Sequence, residues 1–147
     1  KLLCYIGFAL QHLYKGKEQI AHVINESHYV RLLQLIDEDK IYFGGHFDTD
    51  SLYIEPTILY PVSEGDLCMQ EEIFGPILPI IPFKRLDEAI QIVQRHPKPL
   101  ACYLFGQNKK IYIRTFEEKL LTKIEQEEKV ERARKAAEYD EAHKHEE

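Results

Sequence analysis

All seven prolines of this 147-residue chain lie between Pro56 and Pro99, and neither glycine nor proline follows Gly106. That distribution divides the chain into a punctuated body and an uninterrupted tail. From 117 to 147, 18 of 31 residues are charged, a composition that favours helix and lacks any breaker. Ile113, Phe116, Leu120 and Ile124 form one apolar stripe there, which thins beyond Ile124 to Val130, Ala133 and Ala137. Glu125–Lys129, Glu128–Arg132 and Glu131–Lys135 have the favourable i,i+4 order, each worth roughly 0.2–0.5 kcal/mol. The heptad pattern fails after about three turns, so a single solvated helix is expected rather than a zipper. The boundaries read from this are a body over 1–110 and a charged helical tail over 111–147. Residues 111–124 should be ordered against the body and those beyond Lys129 exposed.

The body alternates in period. Tyr29, Leu32, Leu33 and Ile36 follow helical spacing, with Asn25 as a good N-cap. Lys40 to Phe43 is a short strand closed by Gly44-Gly45. Tyr53 to Val62 is extended, and Ile77 to Phe83 is an apolar strand whose Pro79 and Pro82 deny it a fully paired central ladder. Leu86, Ala89, Ile90 and Val93 mark another helix, with Asp87 and Glu88 in its first turn, Arg95 in its last and Pro97 as its stop. Leu100 to Phe105 reads as a buried strand. The order is that of an α/β fold with a small sheet and flanking helices.

The formal net charge is −6 with no basic stripe, which argues against nucleic acid as a partner. The longest apolar-plus-Gly run, Leu2 to Leu10, spans nine residues, against the roughly 20 that a membrane-spanning helix needs. No cleavage-site pattern follows it, so it reads as core. Cys4, Cys68 and Cys102 are odd in number and far apart, which suits a reducing compartment, with the cytoplasm as default. The seven histidines include His143 and His145, which do not share a helix face. Glu141 and His145 make a weak surface site at most, and no metal site is expected. Glu71 and Glu72 are adjacent in extended chain and point to opposite faces, so they do not form an acid/base pair.

Met69-Gln70-Glu71-Glu72-Ile73-Phe74-Gly75-Pro76 resembles the E-E-I-F-G-P segment of the aldehyde dehydrogenase superfamily. Its neighbours agree in order and spacing. Ile24-Asn25 with His28-Tyr29 and Arg31-Leu32 is similar to that family's I-N-x-x-H-[FY]-x-R-L helix. Gly44-Gly45 with Tyr53-Ile54-Glu55-Pro56-Thr57-Ile58-Leu59 is similar to its G-G…Y-[IF]-x-P-T-[IV]-L stretch. Leu86-Asp87-Glu88-Ala89-Ile90 and Lys98-Pro99-Leu100-Ala101 complete the series, and the flavour is nearest the class 3 and fatty-aldehyde branch. The resemblance covers roughly residues 20–110 and implies the late part of the family's catalytic domain.

The family oxidises aldehydes to acids with NAD or NADP through a cysteine thiolate and a glutamate-activated water. By resemblance, Glu72 matches the glutamate that hydrogen-bonds the nicotinamide ribose hydroxyls, and Phe74 the aromatic beside that ribose and the nicotinamide. The nucleophile motif, the general-base motif, the glycine-rich dinucleotide loop and the oligomerisation strand have no match. With no initiator Met either, the chain reads as truncated and inactive alone, with no catalytic residue of its own. His22 stands where the family usually has Arg. Cys68 is the best substitute nucleophile, yet Asp66, Glu71 and Glu72 nearby should raise its pKa, and it reads as structural. His28 reads as structural too. The competing reading is a non-catalytic scaffold that binds a partner through its helical tail. Exposed apolar surface where the dinucleotide half would sit would favour a partner or self-association.

Overall fold

The computed structural model describes residues 1–14, 18, 20–97, 101–103, 105, 129–132 and 134–135. The chain divides into two compact units, Lys1–Pro82 and Phe83–Glu147.

In the first unit, helix α1 (Leu2–Leu13) is followed by α2 (Glu26–Gln34) and five short strands. These are β1 (Ile41–Phe43), β2 (Phe47–Asp48), β3 (Tyr53–Ile54), β4 (Thr57–Leu59) and β5 (Ile77–Pro79). The central strand is β4, antiparallel to β1 and parallel to β5, with Thr57, Ile58 and Leu59 in register with Ile77, Leu78 and Pro79. Its burial on both faces explains the β-branched and aliphatic run Thr57-Ile58-Leu59, all of it buried. The hydroxyl of Thr57 is satisfied locally, donating to the Glu55 carbonyl at 2.7 Å and accepting from Gly45 N–H at 3.0 Å. β2 and β3 form a separate two-stranded antiparallel ribbon.

Gly44 is what allows this close approach of β1's end to β4. Its φ is +78°, and a Cβ there would lie 2.3 Å from the Pro56 carbonyl oxygen, so only glycine fits. The core gathers Tyr29 and Leu32 from α2 and Leu35 from its C-cap with Ile54, Leu59, Val62, Cys68 and Ile77. Tyr29 and Leu32 are the buried face of α2 that the helical spacing predicts.

The run Leu2–Leu10 is helical, and the expectation that it is core is corrected. Gly7 is buried, with its Cβ position 3.3 Å from the Phe43 ring, and Leu3, Ile6 and Leu10 are half-buried. Leu2, Tyr5, Phe8 and Leu13 are exposed, Tyr5 to 70%. A helix apolar on all sides buries only the stripe that has a neighbour.

The extended segment 53–62 resolves into β3 and β4, and the strand expected over Ile77–Phe83 ends at Pro79. Its prolines are the reason: β5 is an edge strand among the described residues, the place where proline is tolerated.

In the second unit, α3 spans Leu86–Arg95. Glu88 accepts from the Lys84 N–H at 3.0 Å, satisfying a donor ahead of the first turn. Ile90 is buried and Leu86, Ala89 and Val93 are half-buried, the stripe that the spacing predicts. The buried strand expected over Leu100–Phe105 is corrected. The described residues Ala101–Tyr103 and Phe105 carry no strand, Cys102 is half-buried, and Tyr103 and Phe105 are 80% and 91% exposed. An apolar run without a ladder partner has no reason to extend. The expected long tail helix falls mostly outside the described residues, as does the expectation for 111–124. Residues 129–132 and 134–135 are helical and exposed, and Lys135 Nζ lies 2.8 Å from Glu131 Oε1, an anticipated i,i+4 pair.

Candidate functional site

The site is built by α2 and the segment Gln70–Pro76 that leads into β5. Asn25 starts α2: its extended backbone and its Oδ1, 2.9 Å from the His28 N–H, satisfy one of the helix's orphan donors. Helical spacing then sends Tyr29 and Leu32 to the core and puts His28 and Arg31, three apart, on another face. That face meets the loop. His28 Nε2 lies 2.9 Å from the Phe74 carbonyl oxygen. Arg31 donates through Nη1 to the Glu71 carboxylate and, at 3.5 Å, to the Glu72 carbonyl. Through Nη2 it donates to the Ile73 carbonyl. Three consecutive loop carbonyls are thus held from one helix.

Gly75 completes the fit. A Cβ there would come within 2.5 Å and 2.7 Å of the two Leu32 methyl carbons, and Leu32 is fully buried. Pro76 O accepts from the Thr57 N–H at 2.8 Å, which opens the parallel β4–β5 pairing.

The side chains singled out from sequence are exposed. Glu72 is exposed, and its carboxylate makes no ion pair among the described residues. Phe74 is 73% exposed and holds a φ of 48°, a left-handed backbone that is a genuine outlier for an aromatic residue. Glu71, by contrast, is engaged by Arg31. An ionised carboxylate only accepts hydrogen bonds, and an exposed ring offers a flat apolar face.

Sequence reasoning missed the role of Arg31, and it left His28 without a partner. The available signal was spacing: two polar residues three apart on the helix face adjacent to the core stripe, with an acidic and glycine-containing loop elsewhere in the chain.

The thiol of Cys68 is buried in the core, in a short 3₁₀ turn over Leu67–Met69. Burial pushes its pKa up first and the charge of Asp66 second. The sign agrees with the sequence reading, but desolvation leads, and Glu71 and Glu72 are not among the causes. Asp66 is itself held by Lys40 at 2.6 Å and by the Ser63 hydroxyl and N–H at 2.8 and 2.9 Å. His22, the departure from the family pattern, places Nδ1 2.6 Å from the Ser51 carbonyl oxygen. Among the described residues no group of His, Cys, Asp or Glu is arranged to hold a metal ion.

The aldehyde dehydrogenase family model matches residues 11–138. The chain belongs to the aldehyde dehydrogenase family. It is 48% identical over 104 residues to aldehyde dehydrogenase family 3 member A2 of Pongo abelii, covering 71% of this chain and 21% of that protein. It is 43% identical over 98 residues to aldehyde dehydrogenase 1 of Entamoeba histolytica, covering 67% of this chain and 18% of that one. The solved substrate-bound state of Staphylococcus aureus AldH superposes with a TM-score of 0.74 at 41% identity, covering 80% of this chain and 27% of that chain. This aldehyde dehydrogenase chain therefore spans about a fifth of the length of the curated relatives it matches. The resemblance to the class 3 branch stands, since family 3 members are among those relatives.

Proposed function

We propose that this chain forms the nicotinamide-side wall of an aldehyde dehydrogenase cofactor site, with Glu72 accepting from the ribose hydroxyls and Phe74 packing against the ribose and nicotinamide. The observation that carries the reading is the loop itself: its backbone is held by His28 and Arg31 while Glu72 and Phe74 remain exposed. When bound, NAD or NADP supplies the hydride acceptor for oxidation of an aldehyde to a carboxylic acid. The contribution of these residues is to bind and orient that group.

The 147 residues alone are inactive in this proposal, because the family's nucleophile and general-base motifs have no match in them and Cys68 is buried with its pKa raised. The apolar residues of α1 left exposed would favour self-association or a protein partner. A reducing, cytoplasmic setting is part of the proposal and rests on the odd number and wide spacing of the three cysteines. Among the described residues no helix is long and apolar enough to cross a membrane. The reading of the chain as a scaffold working through its tail gains no observation here.

Titration of the chain with NAD and NADP, followed residue by residue by NMR, tests the cofactor reading. Shift changes should centre on Glu72 to Gly75, stay unsaturated through the millimolar range, and vanish in Glu72→Ala. Weak affinity follows because, among the described residues, no helix N-terminus with a glycine-rich loop anchors the pyrophosphate. Shift changes confined to other segments would overturn the assignment.

A further inference from the structure

The holding of the loop has a chemical signature of its own. Arg31 distributes its donors over Glu71, the carbonyls of Glu72 and Ile73, and His28 Nδ1, to which Nε and Nη2 both lie at 3.3 Å. A guanidinium has donors only, so Nδ1 must be the acceptor and carries no proton. The proton of the neutral ring then sits on Nε2, where the Phe74 carbonyl accepts it at 2.9 Å. The network thereby assigns one tautomer.

We propose that His28 and Arg31 are positioning residues for Glu72 and Phe74, with His28 held as the Nε2–H tautomer by Arg31. The inference rests on the reading of Glu72 and Phe74 as cofactor contacts. Its logic is conformational. A left-handed aromatic residue persists only where its surroundings over-determine it. At Phe74 they do so on two sides: His28 takes its carbonyl, and Gly75 next to it is pressed on Leu32 with no room for a Cβ. Arginine is required rather than lysine, because one ammonium cannot reach two carbonyls, a carboxylate and an imidazole in fixed directions. The brace joins the two motifs, forty residues apart at Arg31 and Glu71: the helix motif supplies the donors and the loop motif the acceptors.

The test uses the full chain and three variants. Long-range proton–nitrogen NMR on the parent should find His28 protonated at Nε2 and bare at Nδ1. The backbone order parameters of Glu72 and Phe74 should be near 0.85, roughly the rigid value, in the parent, and fall below about 0.6 in Arg31→Lys and His28→Leu. His28→Gln should restore the rigid value, since its amide can donate to the Phe74 carbonyl and accept from Arg31. Order within α2 and β4 should not change in any of them, which separates positioning from general stability.

A proton on Nδ1, or a loop as rigid in Arg31→Lys as in the parent, would overturn the proposal. If Arg31→Lys does not fold, the contrast between His28→Gln and His28→Leu decides. The cofactor reading fails separately: a braced loop that shows no nucleotide-dependent shifts in the parent removes that reading and leaves the brace in place. Nucleotide-dependent shifts that survive unchanged in His28→Leu would show that the loop needs no positioning.

Discussion

A glycine that is pressed on a helix and an aspartate that is held by a lysine define the residue scale. Gly75 has its Cβ position inside the van der Waals envelope of Leu32, whose side chain is fully buried and cannot swing away. Gly75→Ala should cost about 1–3 kcal/mol, the usual penalty of overpacking, measurable as a lowered urea midpoint. Asp66 offers a test in pH. The Lys40 hydrogen bond, then those from Ser63, lower its pKa to about 2. The folded value lies below the unfolded one of roughly 3.9, so the contribution is fully present above about pH 4 and is lost as pH falls toward about 2. Asp66→Asn should lower the urea midpoint at neutral pH and flatten its acid limb across that window. An unchanged acid limb would mean that the Lys40 pair adds nothing.

At the scale of elements, α2 carries both the core stripe and the brace, so its start has leverage. Asn25→Ala removes the acceptor for the His28 N–H and should destabilise the chain by about 1 kcal/mol. Asn25→Ser should recover most of that loss. The same helix shows what could be read in advance. Its cap, period and buried residues were legible because each is a local property of a short window, as were the strand ahead of Gly44-Gly45 and the helix from Leu86. What was not legible depends on pairing. The Leu2–Leu10 run is apolar enough for a core, but which of its sides finds a neighbour is decided by Phe43 and the sheet. Ala101–Tyr103 and Phe105 look like strand material and have no ladder. The loop's exposed pair, Glu72 and Phe74, stood out through resemblance, whereas Arg31 looked like any surface arginine until the fold brought Glu71 and the Ile73 carbonyl to it.

For the whole molecule, the family assignment and the span of about a fifth of its curated relatives lead to a direct expectation. Incubated with NAD or NADP and a panel of aldehydes, the chain should produce no reduced nicotinamide. The one buried thiol of the first unit, Cys68, is pushed away from the thiolate form, the opposite of what a nucleophile needs. Steady turnover abolished by alkylation of Cys68 would reverse that reading.

Pro79 has a consequence for how such chains meet one another. Just past β5 the Ile80 N–H donates to the Leu59 carbonyl at 3.0 Å. Alternation therefore turns the nitrogen of Pro79 away from β4, toward the side where a further strand would add. That nitrogen has no hydrogen to offer, so the β5 rim of the sheet is a poor template for cross-β growth. The exposed side chains of α1 offer another route to assembly, and it should yield small, reversible oligomers. Sedimentation should show mass rising with concentration in the parent and less so in Tyr5→Lys, with thioflavin fluorescence flat throughout. Replacing Pro79 with Val would reopen the rim, and fibrils should then form under the same conditions.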